Sequence, residues 1–167
     1  MIRRQVALIF FLIFTILASI AAAEKVPIAG MGATTLRAHS GKRGVEASIT
    51  TEKRRAALYE DEDDSTAPER SMVRAITITM NGQKIFVPSS VICGLVLPNR
   101  AELLVGAGIS VLTIEGGDTS ATYIVRIEFD SERVKRMTHA SSLIPDKPLQ
   151  ITNFYERTLE DRPLKRR

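Results

Sequence analysis

Few residues in this chain have the chemistry of a reactive centre. Its 167 residues include one cysteine (Cys93), two histidines (His39 and His139) and no tryptophan. A lone thiol gives neither an intramolecular disulfide nor a zinc cluster, and the apolar Val91-Ile92 before it predict a buried, inert side chain. Cys93 with His139 is the one Cys/His combination after residue 70, and no motif links them as a thiol–imidazole pair. His39 has no cysteine or second histidine near it to complete a metal site. Carboxylates come in two small groups: Glu115 and Asp118 flank Gly116-Gly117, and Asp130 and Glu132 flank the next turn. Shared acid/base or cation chemistry would need the two groups close together. Successive antiparallel turns lie at opposite ends of the strand they share, so these groups are expected far apart. Asp118 then reads as turn chemistry.

The basic residues Arg126, Arg133, Lys135 and Arg136 could meet on adjoining strands and hold an anion, but Glu128, Asp130 and Glu132 are interleaved with them. A solvated, charge-balanced face is the expectation. Neither a phosphate-cradling glycine loop nor a serine-nucleophile motif is present, because Gly106-Ala107-Gly108 and Gly116-Gly117 fall at strand turns. No cofactor and no metal are expected. The net charge of +4 is also less than it seems: without residues 1–23, which hold Arg3 and Arg4, 21 basic and 19 acidic side chains remain. Residues 71–157 carry nine basic and eight acidic side chains. That near-neutral balance argues against nucleic-acid binding.

The elements that would position these residues are strands. In Ile109–Asp130 the second half alternates cleanly, with Ala121, Tyr123, Val125, Ile127 and Phe129 on one face and Thr122, Arg126, Glu128 and Asp130 on the other. A loop of two or four residues around Gly116-Gly117-Asp118 sets Leu112 and Ile114 on the same face as Tyr123 and Val125. Both faces of the first half are apolar, so that strand is expected to be central and covered on both sides. Asn81-Gly82 is a type I′ hairpin signal. A two-residue loop pairs Met80 with Gln83 and Ile78 with Ile85, which brings Ile76, Ile78, Met80, Ile85 and Val87 onto one face.

Ser89–Val96 reads as a short serine-capped helix with Val91, Ile92, Leu95 and Val96 on one side, or as a continuing strand. Ala101–Val105 reads as a strand. Arg133–His139 reads as another, and its charges suit an exposed sheet edge. Leu149–Glu156 supplies a last strand with Leu149, Ile151 and Tyr155 on one face. About seven short strands imply a small antiparallel β-sandwich or open barrel over residues 71–157.

The flanking segments differ from this pattern. Residues 1–23 combine Arg3-Arg4, an apolar run from Val6 to Ile20 and Ala21-Ala22-Ala23, the three parts of a secretory signal peptide cleaved before Glu24. If uncleaved, residues 6–23 just reach spanning length and would be the chain's membrane contact. Residues 24–70 have few bulky apolar side chains and segregated charge, with Lys53-Arg54-Arg55 followed by Glu60-Asp61-Glu62-Asp63-Asp64. They are expected to form a disordered charged leader acting as a spacer. Residues 158–167 are a basic C-terminal tail.

These readings predict an exported protein, periplasmic or extracellular and bacterial in type. It is expected to be a non-enzymatic β-domain that binds an envelope protein or assembles with itself. The candidate contact residues are Gly116, Gly117, Asp118 and Thr119 in the turn, with Arg126, Arg133, Lys135 and Arg136. The alternatives are a secreted inhibitor or immunity-type protein that probes an enzyme with the Gly116–Thr119 loop, and an accessory protein anchored in the inner membrane by its N-terminus.

Overall fold

A computed structural model describes residues 24–55, 68–119 and 121–155. The expected signal segment 1–23, the acidic run 60–64 and the tail 158–167 lie outside the described residues. Within them the chain is all-β, with ten strands in two antiparallel sheets. The strands are β1 (Val26–Pro27), β2 (Gly32–Ser40), β3 (Arg43–Arg55), β4 (Glu69–Met80) and β5 (Gln83–Ile85), followed by β6 (Pro98–Val105), β7 (Ser110–Gly116), β8 (Tyr123–Phe129), β9 (Val134–Ser141) and β10 (Pro148–Asn153). One sheet has the order β1-β6-β7-β8-β9-β10, the other β2-β3-β4-β5. Their inner faces share one core, and neither sheet closes into a barrel.

The expected faces are present. Asn81 and Gly82 both have positive φ (51° and 84°), and the hairpin pairs Met80 with Gln83 and Ile78 with Ile85. Ile76, Ile78, Met80 and Ile85 are buried, with Val87 packed against them. Across the core, Leu112 and Ile114 lie opposite Ile127 and Val125, and the β8 face from Tyr123 to Phe129 is buried. The β7–β8 loop holds six residues, not two or four; an even count preserves the face.

Several expectations are corrected. Residues 24–70 are not a disordered leader: they supply β1, β2, β3 and the start of β4, and only 56–67 fall outside the described residues. Alternation in β2 and β3 points Thr34, Leu36, Val45, Ala47, Ile49 and Thr51 inward, and mixing threonine and alanine with the three larger residues keeps the mean hydropathy low while still filling a core between sheets. Strand β7 is central but covered on one side alone, since Val111 and Thr113 on its outer face are half-buried. The charged strand is no edge. β9 lies between β8 and β10, and Val134, Met137 and Ala140 are buried. Ser89–Val91 makes a single 3-10 turn after Pro88, without a serine side-chain cap. The chain then crosses to the other sheet, stitched to β4 by Val73 N–H to Leu95 O (3.0 Å) and Leu97 N–H to Ser71 O (2.7 Å).

Candidate interaction surface

The Gly116–Thr119 turn is a built loop. Gly116 is buried at the end of β7, where a Cβ would meet the Tyr123 hydroxyl and come within 2.8 Å of the Leu97 carbonyl oxygen. Gly117 has φ 90°, its N–H donates to Leu97 O (3.0 Å), and its carbonyl accepts from Asn99 Nδ2 (3.2 Å). Asp118 Oδ1 accepts from the Ala121 N–H (3.2 Å), the turn role expected of it. Of the four, Thr119 is the one exposed to solvent.

The basic candidates are not brought to that loop. β8 spans seven residues, about 20 Å, with the loop at one end and Asp130 at the other. Arg126 lies on the outer face of β8 and donates to Pro145 O (3.3 Å), tying down the β9–β10 turn. Arg136 shares that face, 3.9 Å from Glu128 and 3.2 Å from Asn153 Oδ1. Lys135 occupies the irregular step of the β8–β9 ladder and pairs with Asp130 at 2.6 Å. Arg133 is half-buried beside an isolated bridge to Phe86. These cations are therefore dispersed; Arg126, Lys135 and Arg136 are engaged with carboxylates, a carbonyl or an amide oxygen, and the four are not gathered into one anion site.

The carboxylates are engaged in the same way. Glu115 pairs with Lys25 (2.6 Å) and Arg100 (3.5 Å) on the outer face. Asp130 accepts from the Glu132 and Arg133 amides (2.9 and 3.0 Å). Burial pushes the Asp130 pKa upward, but the Lys135 ammonium and those two amides outweigh it and hold the carboxyl at about 2. No group of three potential metal ligands gathers among the described residues.

One histidine finds a partner that a linear reading could not supply. His139 faces the core side of β9, its ring 5.7 Å from that of Tyr123. Burial raises the Tyr123 pKa, and its hydroxyl is buried without a hydrogen-bond partner. His39 lies over Gly44, beside a concavity of about 320 Å³ that Arg37, Glu46, Thr79 and Asn81 also line. There Arg37 pairs with Glu46 (2.7 Å) and Asn81 Oδ1 accepts from the Gly44 N–H (2.8 Å), so the polar groups satisfy one another. Cys93, expected to be buried, is exposed in the turn after the 3-10 segment; Val91 points inward in its place.

The surface that stands out lies at the far edge of the six-stranded sheet. β10 is the edge strand, and its six residues, Pro-Leu-Gln-Ile-Thr-Asn, carry no charge. Leu149 (72%) and Ile151 (54%) are exposed on it, as are Leu143 (82%) and Ile144 (53%) in the turn before it and Tyr155 (85%) after it. The expected apolar residues Leu149, Ile151 and Tyr155 are all exposed, with Leu149 at an irregular step of the β9–β10 ladder. Absence of charge from an apolar run was the signal available in the sequence; it was masked by assigning the edge to Arg133–His139. No protein-family model, curated protein or solved structure matches the chain.

Proposed function

We propose that this chain is an exported, non-enzymatic β-sandwich whose work is protein contact, with another protein of the cell envelope or with itself. The observation that carries this reading is the uncharged β10 edge with its five exposed large apolar residues. Edge strands facing only water are normally blunted by charge, proline at the pairing position or a covering element; here Asp146 and Lys147 stand in the turn before the strand and no charge lies on it, and clustered exposed apolar side chains mark an interaction site. Glu115, Asp118 and Asp130 are bound into ion pairs and turns and His139 into ring packing, which supports the non-enzymatic reading. Export rests on the composition of residues 1–23, and retention of residues 6–23 would turn the same domain into a membrane-anchored accessory protein.

Fractionation followed by reversible cross-linking in intact cells tests the reading. The expected result is protein beginning at Glu24, found outside the cytoplasm and in a species larger than one chain. A protein retained in the cytoplasm, or one that is strictly monomeric with no recoverable partner, overturns it.

A further inference from the structure

We infer that the partner at the β10 edge is a second copy of this chain, added antiparallel about a two-fold axis through Ile151. This rests on the protein-contact reading above and narrows it to one occupant.

Main-chain geometry comes first. The Phe154 N–H donates to Lys135 O (2.9 Å), and the ladder runs Asn153 opposite Arg136, Thr152 opposite Met137 and Ile151 opposite Thr138. In an antiparallel ladder, bonded pairs alternate with non-bonded ones. Residues 150, 152 and 154 therefore bond to β9, and the N–H and C=O groups of Ile151 and Asn153 point away from the sheet. A second β10 centred on Ile151 pairs residue 151 with 151, and brings Leu149, at the irregular step between Pro148 and Gln150, opposite residue 153 of the other copy. Within β10 every opposed pair is then uncharged.

The side chains fit the same operation. Ile151 lies on the outer face, where it meets its own counterpart across the axis. The register continues to place Tyr155 opposite Lys147 of the second copy, where the ring can cover the aliphatic stem of the lysine beside the turn that carries Leu143 and Ile144. Arg126 holds that turn against the outer face through Pro145 O, so the receiving surface is already in place. At roughly 200 Å² for a fully exposed residue of this size, the exposed parts of the five side chains come to about 700 Å² per copy, near the ~800 Å² each partner contributes to a stable interface. An isologous contact of this kind also closes on itself and so stops at two copies.

Other occupants from within the chain fit less well. Residues 156–167, which follow this edge, carry eight charges in twelve positions and cannot blanket an apolar rim. Residues 1–23 are expected to be removed with the signal peptide, and so supply no cover in the exported protein.

Analytical ultracentrifugation of protein recovered after expression of the full sequence reads this directly, with circular dichroism as the control for folding. The unaltered protein is expected to sediment as a dimer. Ile151→Lys, at a half-exposed edge position, should remain folded and weaken the dimer roughly 30-fold or more. Thr35→Lys, at an exposed position of the edge strand β2 in the other sheet, should leave the dimer intact. Ile151→Cys in a Cys93→Ser background should form a disulfide-linked dimer on mild oxidation, because bonded antiparallel pairs hold their Cα atoms about 5.5 Å apart. A monomer at concentrations on the order of 100 μM, or a dimer indifferent to Ile151→Lys, overturns the inference. A monomer cross-linked in cells to a different envelope protein overturns it while leaving the protein-contact reading standing; a monomer with no partner overturns both.

Discussion

At the scale of single residues, the polar groups that looked available for chemistry are committed to holding turns and strands together, and the commitment can be measured. Asp130 joins Lys135 to the amides of Glu132 and Arg133, and its carboxyl is held at about 2. An unfolded aspartate titrates near pH 3.9, so the unfolded chain takes up this proton first as pH falls. The stabilisation is therefore complete above about pH 4 to 5 and is lost as pH drops toward 2. Acid unfolding of Asp130→Asn should lack part of that slope; an unchanged acid limb would refute the assignment. Tyr123 makes the opposite point. Its buried hydroxyl has no partner, so Tyr123→Phe should leave stability within about 0.5 kcal/mol or raise it in urea melts. A loss above about 1.5 kcal/mol would mean that the hydroxyl is satisfied in solution. Gly116→Ala should cost about 1–3 kcal/mol, because its methyl group would drive into the same tyrosine and the Leu97 carbonyl.

At the scale of elements, β3 is the clearest case of structure hidden by composition. It is central in its sheet, and Ala47 and Ile49 are fully buried. Ile49→Ala is expected to destabilise the protein by about 2–4 kcal/mol, read from the shift of the urea midpoint at constant m value. A residue in a disordered leader would show no effect. Two kinds of element were legible in the sequence. Asn81-Gly82 fixed a register because its φ requirements are local, and β8 was plain because bulky residues alternate with charges along it. β2 and β3 were not legible, since threonine and alanine alternate with Leu36, Val45 and Ile49 at their inward positions and dilute the apolar pattern. The edge was misplaced for a different reason. Whether Arg133–His139 or Leu149–Glu156 lies outermost depends on strand order, and charge along β9 can be accommodated by Asp130, Glu128 and Asn153 without any edge at all. Of the predicted contact residues, the turn was correctly read as a turn. The apolar rim was missed because exposure is a property of the assembled sheets.

At the scale of the molecule, residues 26–55 and 69–153 build the two sheets around one core, so the boundary expected at Ser71 cuts through it. A chain beginning at Ser71 would lack β1, β2 and β3 and expose the inward faces of β4 and β6. It is expected to give no cooperative thermal transition; a sharp one would restore the shorter domain. Strand order within the molecule has a further consequence, in time. Every neighbouring pair in both sheets is sequential along the chain except one, since β1 takes β6 as its partner and Val26 waits for Ala101, 75 residues later. The β2–β5 and β6–β10 meanders can each close through local hairpins, so loop entropy delays them little. Two residues of β1 then latch onto a sheet that is otherwise finished. The latch closes last and, for the same reason, opens first. A pull on the N-terminus, from a membrane tether or an export channel, would peel away Val26 and Pro27 before it loaded the core. The amide protons they shield should accordingly exchange well ahead of those in β7 and β8.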